Sequence, residues 1–213
     1  MIKLLLVPQG QEYQAVCRGA RGSGVRVIPI PMGNPEFRSQ LVSYLAAESL
    51  AQAVLIGLCG GIAEGDLVGD WVIYQSCSNH QELCSTDRNL TSWIKQKLGD
   101  QAKLVNGLTV NSVVTSIVEK RNLRNLTSAR YVDMESYEVL DFAQPQAMAV
   151  VRVVSDNLQR DLPNLNFALE QGRLNVFKLA IALMREPINS AFLISNSLVA
   201  LRRLEQCTRT LVS

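Results

Sequence analysis

The feature that most constrains this chain is an alternation of two apolar periodicities. Short apolar runs of strand length recur at 2–7, 25–30, 53–59, 71–74, 103–109 and 147–154. Between and after them, helical spacing of apolar residues covers 36–49, 91–98, 112–123, 135–142, 167–184 and 189–207, with Pro35 at the start of the first. Strands that alternate with helices pair in parallel and are covered on both faces, which predicts a single-domain three-layer α/β/α fold with a mainly parallel, mixed central sheet. The 213 residues suit one domain spanning 1–213, and a mean hydropathy of +0.10 with 47% hydrophobic residues fits a buried sheet or a large subunit interface.

Charge narrows the function classes. Lys plus Arg number 21 against 19 Asp plus Glu, and the basic residues are scattered, so no stripe exists to track nucleic-acid phosphates. The first apolar run is closed by Pro8 and Gly10, too soon for a signal peptide, and no apolar stretch reaches the roughly 20 residues of a membrane span. A cytoplasmic protein is expected. Five cysteines (Cys17, Cys59, Cys77, Cys84, Cys207) contain no Cys-x-x-Cys pair and are joined by one histidine, His80, which argues against a zinc site and reads as thiols without a role. His80 lies in a polar stretch with no elbow motif, so a Ser-His-Asp or Cys-His enzyme is disfavoured. Chemistry, if present, falls to carboxylates.

In an α/β sheet the ligand crevice lies beyond the carboxyl ends of the strands. Unusual sequence sits there in Pro8-Gln9-Gly10-Gln11-Glu12, in Gly57-Leu58-Cys59-Gly60-Gly61 and in Ser155-Asp156-Asn157. Alone, each has a structural explanation. The glycines make a tight turn, Glu12 opens a short helix, Glu135 favours a helix first turn, Met134 fills a core and Asp156 caps a turn. The Gly-rich segment is neither a dinucleotide fingerprint nor a Walker loop. The polar stretch 75–89 reads as a mobile loop.

Four segments in fixed order change the balance: Gly57 to Gly61, then Val68-Gly69-Asp70 leading into a strand, then Asp133-Met134-Glu135, then Arg152 to Asp156. This order resembles the nucleoside phosphorylase and nucleosidase superfamily, over most of residues 1 to 185. The resemblance implies a phosphorylase/hydrolase-like fold, a small-molecule nucleoside substrate, no cofactor, and subunits paired as a homodimer or higher homo-oligomer. By the same resemblance Asp156, oriented by Ser155, protonates the leaving purine at N7, and Glu12 activates the attacking water. Glu135 accepts from the sugar hydroxyls, Met134 packs on the sugar, and Leu58, Cys59, Gly60 and Asn157 line the site. Cleaving an N-glycosidic bond pushes negative charge onto the base, so a proton donor there lowers the barrier. A carboxyl can donate only while protonated, and Val153 and Val154 are expected to supply the apolar walls that keep it so.

Water is favoured over phosphate as the nucleophile. Positions that hold an arginine and a serine in the phosphate-dependent relatives are Leu55 and Leu58 here, and apolar groups cannot replace charged donors. Arg18, Arg21, Arg26 and Arg38 leave phosphate open as a co-substrate. An aspartate at the Ser-Asp position implies a purine, with adenine preferred. Leu6-Val7-Pro8-Gln9-Gly10 is similar to the hopanoid-associated branch, which acts on adenosylhopane. The helix at about 189–207 lies beyond the usual family end; it packs on its own domain or a partner, or else covers an apolar channel or touches a membrane surface. The alternatives are an inactive nucleoside-binding protein, against which the three carboxylates argue, and a flavodoxin-like oxidoreductase, which lacks the glycine fingerprint.

Overall fold

The computed structural model describes residues 2–33, 37–45, 49–144, 146–163, 169–170, 173–174 and 185–213. The strands are β1 (Leu4–Pro8), β2 (Arg26–Ile30), β3 (Ala53–Gly61), β4 (Trp71–Ser78), β5 (Leu83–Ser85), β6 (Ala102–Thr109), β7 (Tyr131–Asp133), β8 (Met148–Asp156), β9 (Leu169–Glu170) and β10 (Arg173–Leu174). The helices are α1 (Gln11–Gly19), α2 (Phe37–Leu45), α3 (Arg88–Leu98), α4 (Ile117–Leu126), α5 (Ser136–Ala143) and α6 (Pro187–Val212).

The mixed α/β fold is the expected one, with a further feature. β3 is long enough to use one edge twice: Ala53 to Leu55 pair parallel with β1, and Gly60 and Gly61 pair antiparallel with β7. β8 lies parallel to β3 on its other edge and antiparallel to β4; β4 runs parallel to β6, and β6 parallel to β7. The pairings β3-β8-β4-β6-β7-β3 therefore close a five-stranded ring, from which β1-β2 and the β4-β5 hairpin extend as wings.

Alternation along the strands sorts the core. Leu4, Leu6, Ala53, Leu55, Met148, Val150 and Val154 join Leu41, Tyr137 and Leu140 from α2 and α5 in one cluster. Leu5, Val7, Val54, Ile56, Ala149, Val151 and Val153 join Val16, Ile94, Leu204 and Leu211 from α1, α3 and α6 in another. Helices thus cover both sides, as the two-sided apolar strands require.

Several expectations change. The stretch 75–89 is not a loose loop: β4 continues to Ser78 and returns as β5, with Asn79 Oδ1 accepting the N–H groups of Gln81 (3.1 Å) and Glu82 (2.9 Å) to fix the turn. Asp87 then caps α3, accepting from Leu90 N–H at 2.7 Å, so that helix starts before Thr91. α4 begins at Ile117 rather than 112 because Ser116, in extended conformation, caps it. The helix expected over 167–184 falls largely outside the described residues, and four of its positions pair instead as the antiparallel β9 and β10. α6 packs its second half, Ala200, Leu204, Cys207 and Leu211, into the core against α1 and the sheet.

Candidate active site

The carboxyl ends of β1, β2, β3 and β8 lie on one side of the molecule, because these strands are mutually parallel; β7 delivers its own end to the same rim. Each segment at this rim is placed by a local device. After β1, Gly10 adopts φ 101°, a conformation that an L side chain disfavours, and lets the chain turn at once into α1 with Glu12 in its first turn. Glu12 Oε2 accepts the Leu58 N–H at 2.7 Å across the end of β3. Gly57 makes this approach feasible: a Cβ there would stand 2.5 Å from Glu12 Oε2 and 2.6 Å from Arg152 Nη1.

Asp133 ends β7 and organises the start of α5, its Oδ1 accepting from Glu135 N–H (3.1 Å) and Ser136 N–H (2.9 Å). That capping turns Met134 and Glu135 towards the loop after β2, where the Gly33 N–H donates to Glu135 Oε1 at 2.9 Å. The other oxygen of Glu135 accepts from Arg152 Nη2 at 3.1 Å.

At the end of β8 the register with β3 slips. Cys59 pairs with Val154, but Gly60 pairs with Asp156, so Ser155 is an extra residue in a bulge. Ser155 Oγ donates to Asp156 Oδ1 (2.8 Å), with the Cys59 carbonyl 3.1 Å away, and Gly60 lets the carboxyl lie close over β3. The bulge brings the Ser155 hydroxyl and the Asp156 carboxyl into contact. Asn157 turns away, its amide donating to the Asp66 carbonyl at 2.9 Å and accepting from Gln159 N–H at 3.1 Å. Leu58 and Cys59 contribute backbone groups, while the Cys59 side chain is buried.

Two residues not singled out for the site now matter. Arg152 occupies a position of β8 that alternation assigns to the core and is fully buried; its Nε lies 3.3 Å from Asp133 Oδ2, and its Nη1 donates to the Leu58 carbonyl at 3.4 Å. Burial opposes its charge, but the carboxylates of Asp133 and Glu135 more than offset this and hold the guanidinium above its ordinary value. A charge in the middle of the apolar run 147–154 was the sequence signal for it. The second is Lys120, the one residue that α4 buries, whose ammonium donates to Asp156 Oδ2 and, at 3.2 Å, to the Asn157 carbonyl. The surroundings of Asp156 are therefore not the apolar walls expected: Val153 and Val154 point into the two cores, and a cation meets the carboxyl instead.

The electrostatics divide the two ends of the site. Burial, with the nearby Glu135 carboxylate, pushes Glu12 up to about 7, opposed by Arg152 and the Leu58 N–H. Burial and Asp133 raise Glu135, against the pull of Arg152. Burial also pushes the Cys59, Cys77 and Cys207 thiols up, so they stay protonated. Arg38 bridges α2 to Glu138 and Asp141, and Arg18 ties α1 to Glu205 at 2.9 Å, both on exposed surface rather than in the site. Among the described residues no cluster of His, Cys, Asp or Glu could hold a metal ion, and no helix is long and apolar enough to cross a membrane.

No family model and no curated relative matches the sequence. Solved structures do. A mutant futalosine hydrolase of Helicobacter pylori strain 26695 superposes with TM-score 0.71 at 14% identity, covering 100% of this chain and 99% of the other. The 5′-methylthioadenosine/S-adenosylhomocysteine nucleosidase of S. pneumoniae, with a transition-state inhibitor, gives 0.69 at 16% identity over 100% and 98%. The H. pylori enzyme of the same name gives 0.68 at 15% over 97% of each chain. The chain thus shares the fold of these solved structures, and the match to the first of them extends over the final helix as well.

Proposed function

We propose that this protein hydrolyses the N-glycosidic bond of a purine nucleoside, with adenine as the leaving base and water as the nucleophile. The observation that carries the reading is the placement of two dissimilar carboxyl sites on one rim: Glu12 on the Arg152 and Glu135 side, and Asp156 with Ser155 on the bulge of β8. Glycosidic cleavage needs a base that activates water at the sugar and an acid that protonates the departing base, in different environments.

Glu12 suits the base. A carboxyl that titrates at about 7 takes a proton from water more readily than one at its ordinary 4.5, and the Leu58 N–H and Arg152 keep it oriented. Glu135, with Met134 beside it, is the carboxylate to meet the sugar hydroxyls; Gly33 and Arg152 each hold one of its oxygens, and each oxygen keeps a further lone pair to accept with. Asp156 gives its proton to the base as the glycosidic electron pair moves onto it, and Ser155 holds the carboxyl in place.

Water rather than phosphate is supported by Leu55 and Leu58 in place of polar anion ligands, and by the engagement of Arg18 and Arg38 elsewhere. An adenine nucleoside with an apolar 5′ substituent, of the thioadenosine or adenosylhopane kind, suits the apolar chain. A homo-oligomer fits the exposed Ile188, Ile194, Leu198 and Val199 of α6.

The test is base release from a panel of adenosine derivatives and inosine, with and without phosphate, followed by chromatography. Adenine release that does not need phosphate is expected, and Asp156→Asn should lower kcat by at least about 100-fold. Release only with phosphate, or an Asp156→Asn variant at wild-type rate, would overturn the reading.

A further inference from the structure

Lys120 is an unusual residue for a small amphipathic helix to bury. α4 carries Glu119, Lys120, Arg121 and Arg124 in a polar stretch, yet the side chain it buries, to 1% exposure, is a lysine. The apolar cluster that α4 meets, through Leu123, is Ile62, Leu108, Val114, Ala129 and Val132, the smallest of the three. A buried ammonium is costly unless it is paired and fully hydrogen-bonded, and replacing such a pair by apolar residues is often neutral or stabilising. Stability alone gives little reason for it. Its partners are the Asp156 carboxyl and the next carbonyl along, Asn157.

We propose that Lys120 is a positioning residue for the leaving-group acid, acting through Asp156; this rests on the nucleosidase reading above. In the reaction the O–H bond of Asp156 breaks, an N–H bond forms on the base, and the glycosidic C–N bond breaks with its electron pair going to the base. Asp156 therefore changes from neutral acid to carboxylate as the base departs. The ammonium is placed where that charge develops. Interactions that strengthen only as charge develops raise kcat rather than tighten substrate binding. Ser155 holds Oδ1 and Lys120 holds Oδ2, so the carboxyl has one orientation.

The other charged groups nearby are engaged elsewhere. Asp66, on the loop after β3, accepts from Arg130 Nε (2.7 Å) and the Tyr131 hydroxyl (2.7 Å). Asp161 accepts from the Ile117 N–H at the start of α4, and Arg121 faces Glu64 on the exposed side. Among the described residues, Lys120 is the cation that meets Asp156.

Lys120→Met and Lys120→Arg are compared with the wild-type protein on whichever panel substrate releases base. Lys120→Met should lower kcat by roughly 10- to 100-fold with KM within about threefold. Lys120→Arg should restore most of the rate. A Lys120→Met variant that loses only thermal stability, with kcat unmoved, would overturn the proposal. A double-mutant cycle of Lys120→Met with Asp156→Asn, read by melting temperature, reports the pair without catalysis: a double loss smaller than the sum of the singles is expected, and additivity would overturn the pairing. Absence of base release by the wild type would sink the nucleosidase reading, and the leaving-group role with it, while leaving that cycle to report the ion pair.

Discussion

Glu12 ties stability to pH through one proton, and on the proposed reading that proton also bears on turnover. It titrates at about 7 in the folded chain against an ordinary 4.5, so between those values the native state binds more protons than the unfolded one. Its contribution is full below about 4.5 and is lost as pH rises through 7. Glu12→Gln should therefore narrow the fall in melting temperature across that window while lowering kcat by about 100-fold or more, checked by thermal scans from about pH 4 to about pH 9 beside the base-release assay. Gly57→Ala tests the close approach that positions the pair: its Cβ would displace Glu12 and Arg152, costing on the order of 1–3 kcal/mol in urea unfolding and lowering turnover. The places of Glu12, Ser155 and Asp156 just after strands were legible from the apolar runs, whereas Glu135 stood out only through the order of motifs that carries the resemblance. Arg152 was legible in principle, since a charge in an otherwise apolar strand demands partners. Lys120 was not, because one basic residue among several on an amphipathic helix shows no sign of which faces inward.

The elements deliver these side chains through contacts that periodicity does not encode. The six long strands were legible from their apolar runs; β5 and β7, three residues each, carry no period to read. The hairpin at 75–89 escaped because its polar surface resembles a loop, while its order comes from Asn79 and from Thr86, whose hydroxyl donates to the Tyr74 carbonyl at 2.9 Å. The bulge at Ser155 depends on a partner strand far away in the chain. Within β8, Arg152→Met would leave Asp133 and Glu135 buried without their cation, and a loss of about 3–5 kcal/mol in equilibrium unfolding is expected. Where α1 meets α6, Gly19 leaves no room for a side chain: a Cβ there would stand 2.5 Å from the Glu205 carbonyl oxygen and 2.7 Å from Thr208 Cβ. Gly19→Ala should push the helices apart and lower the melting temperature by several degrees, read by circular dichroism.

Over the whole molecule, the layered α/β class followed from the alternation of runs, whereas closure of the ring did not, because it depends on the antiparallel meetings of β3 with β7 and of β8 with β4. A chain ending at residue 186 would expose the faces that α6 covers with Ala200, Leu204, Cys207 and Leu211, and it should lose its cooperative thermal transition and aggregate. The ring also sets where the molecule can breathe. Each of its strands has a neighbour on both edges over part of its length, and among the described residues the path of strands ends at β2, which contains Pro29, and at the three residues of β5. Ring amides should thus exchange with solvent only through global unfolding, whereas α4, which buries a single side chain, should open at lower free energy. Glu12 and Arg152 are thus anchored where opening should be rarest, while Asp156 is held through Lys120 by the helix expected to open first, so the two ends of one rim should differ in how often they come apart.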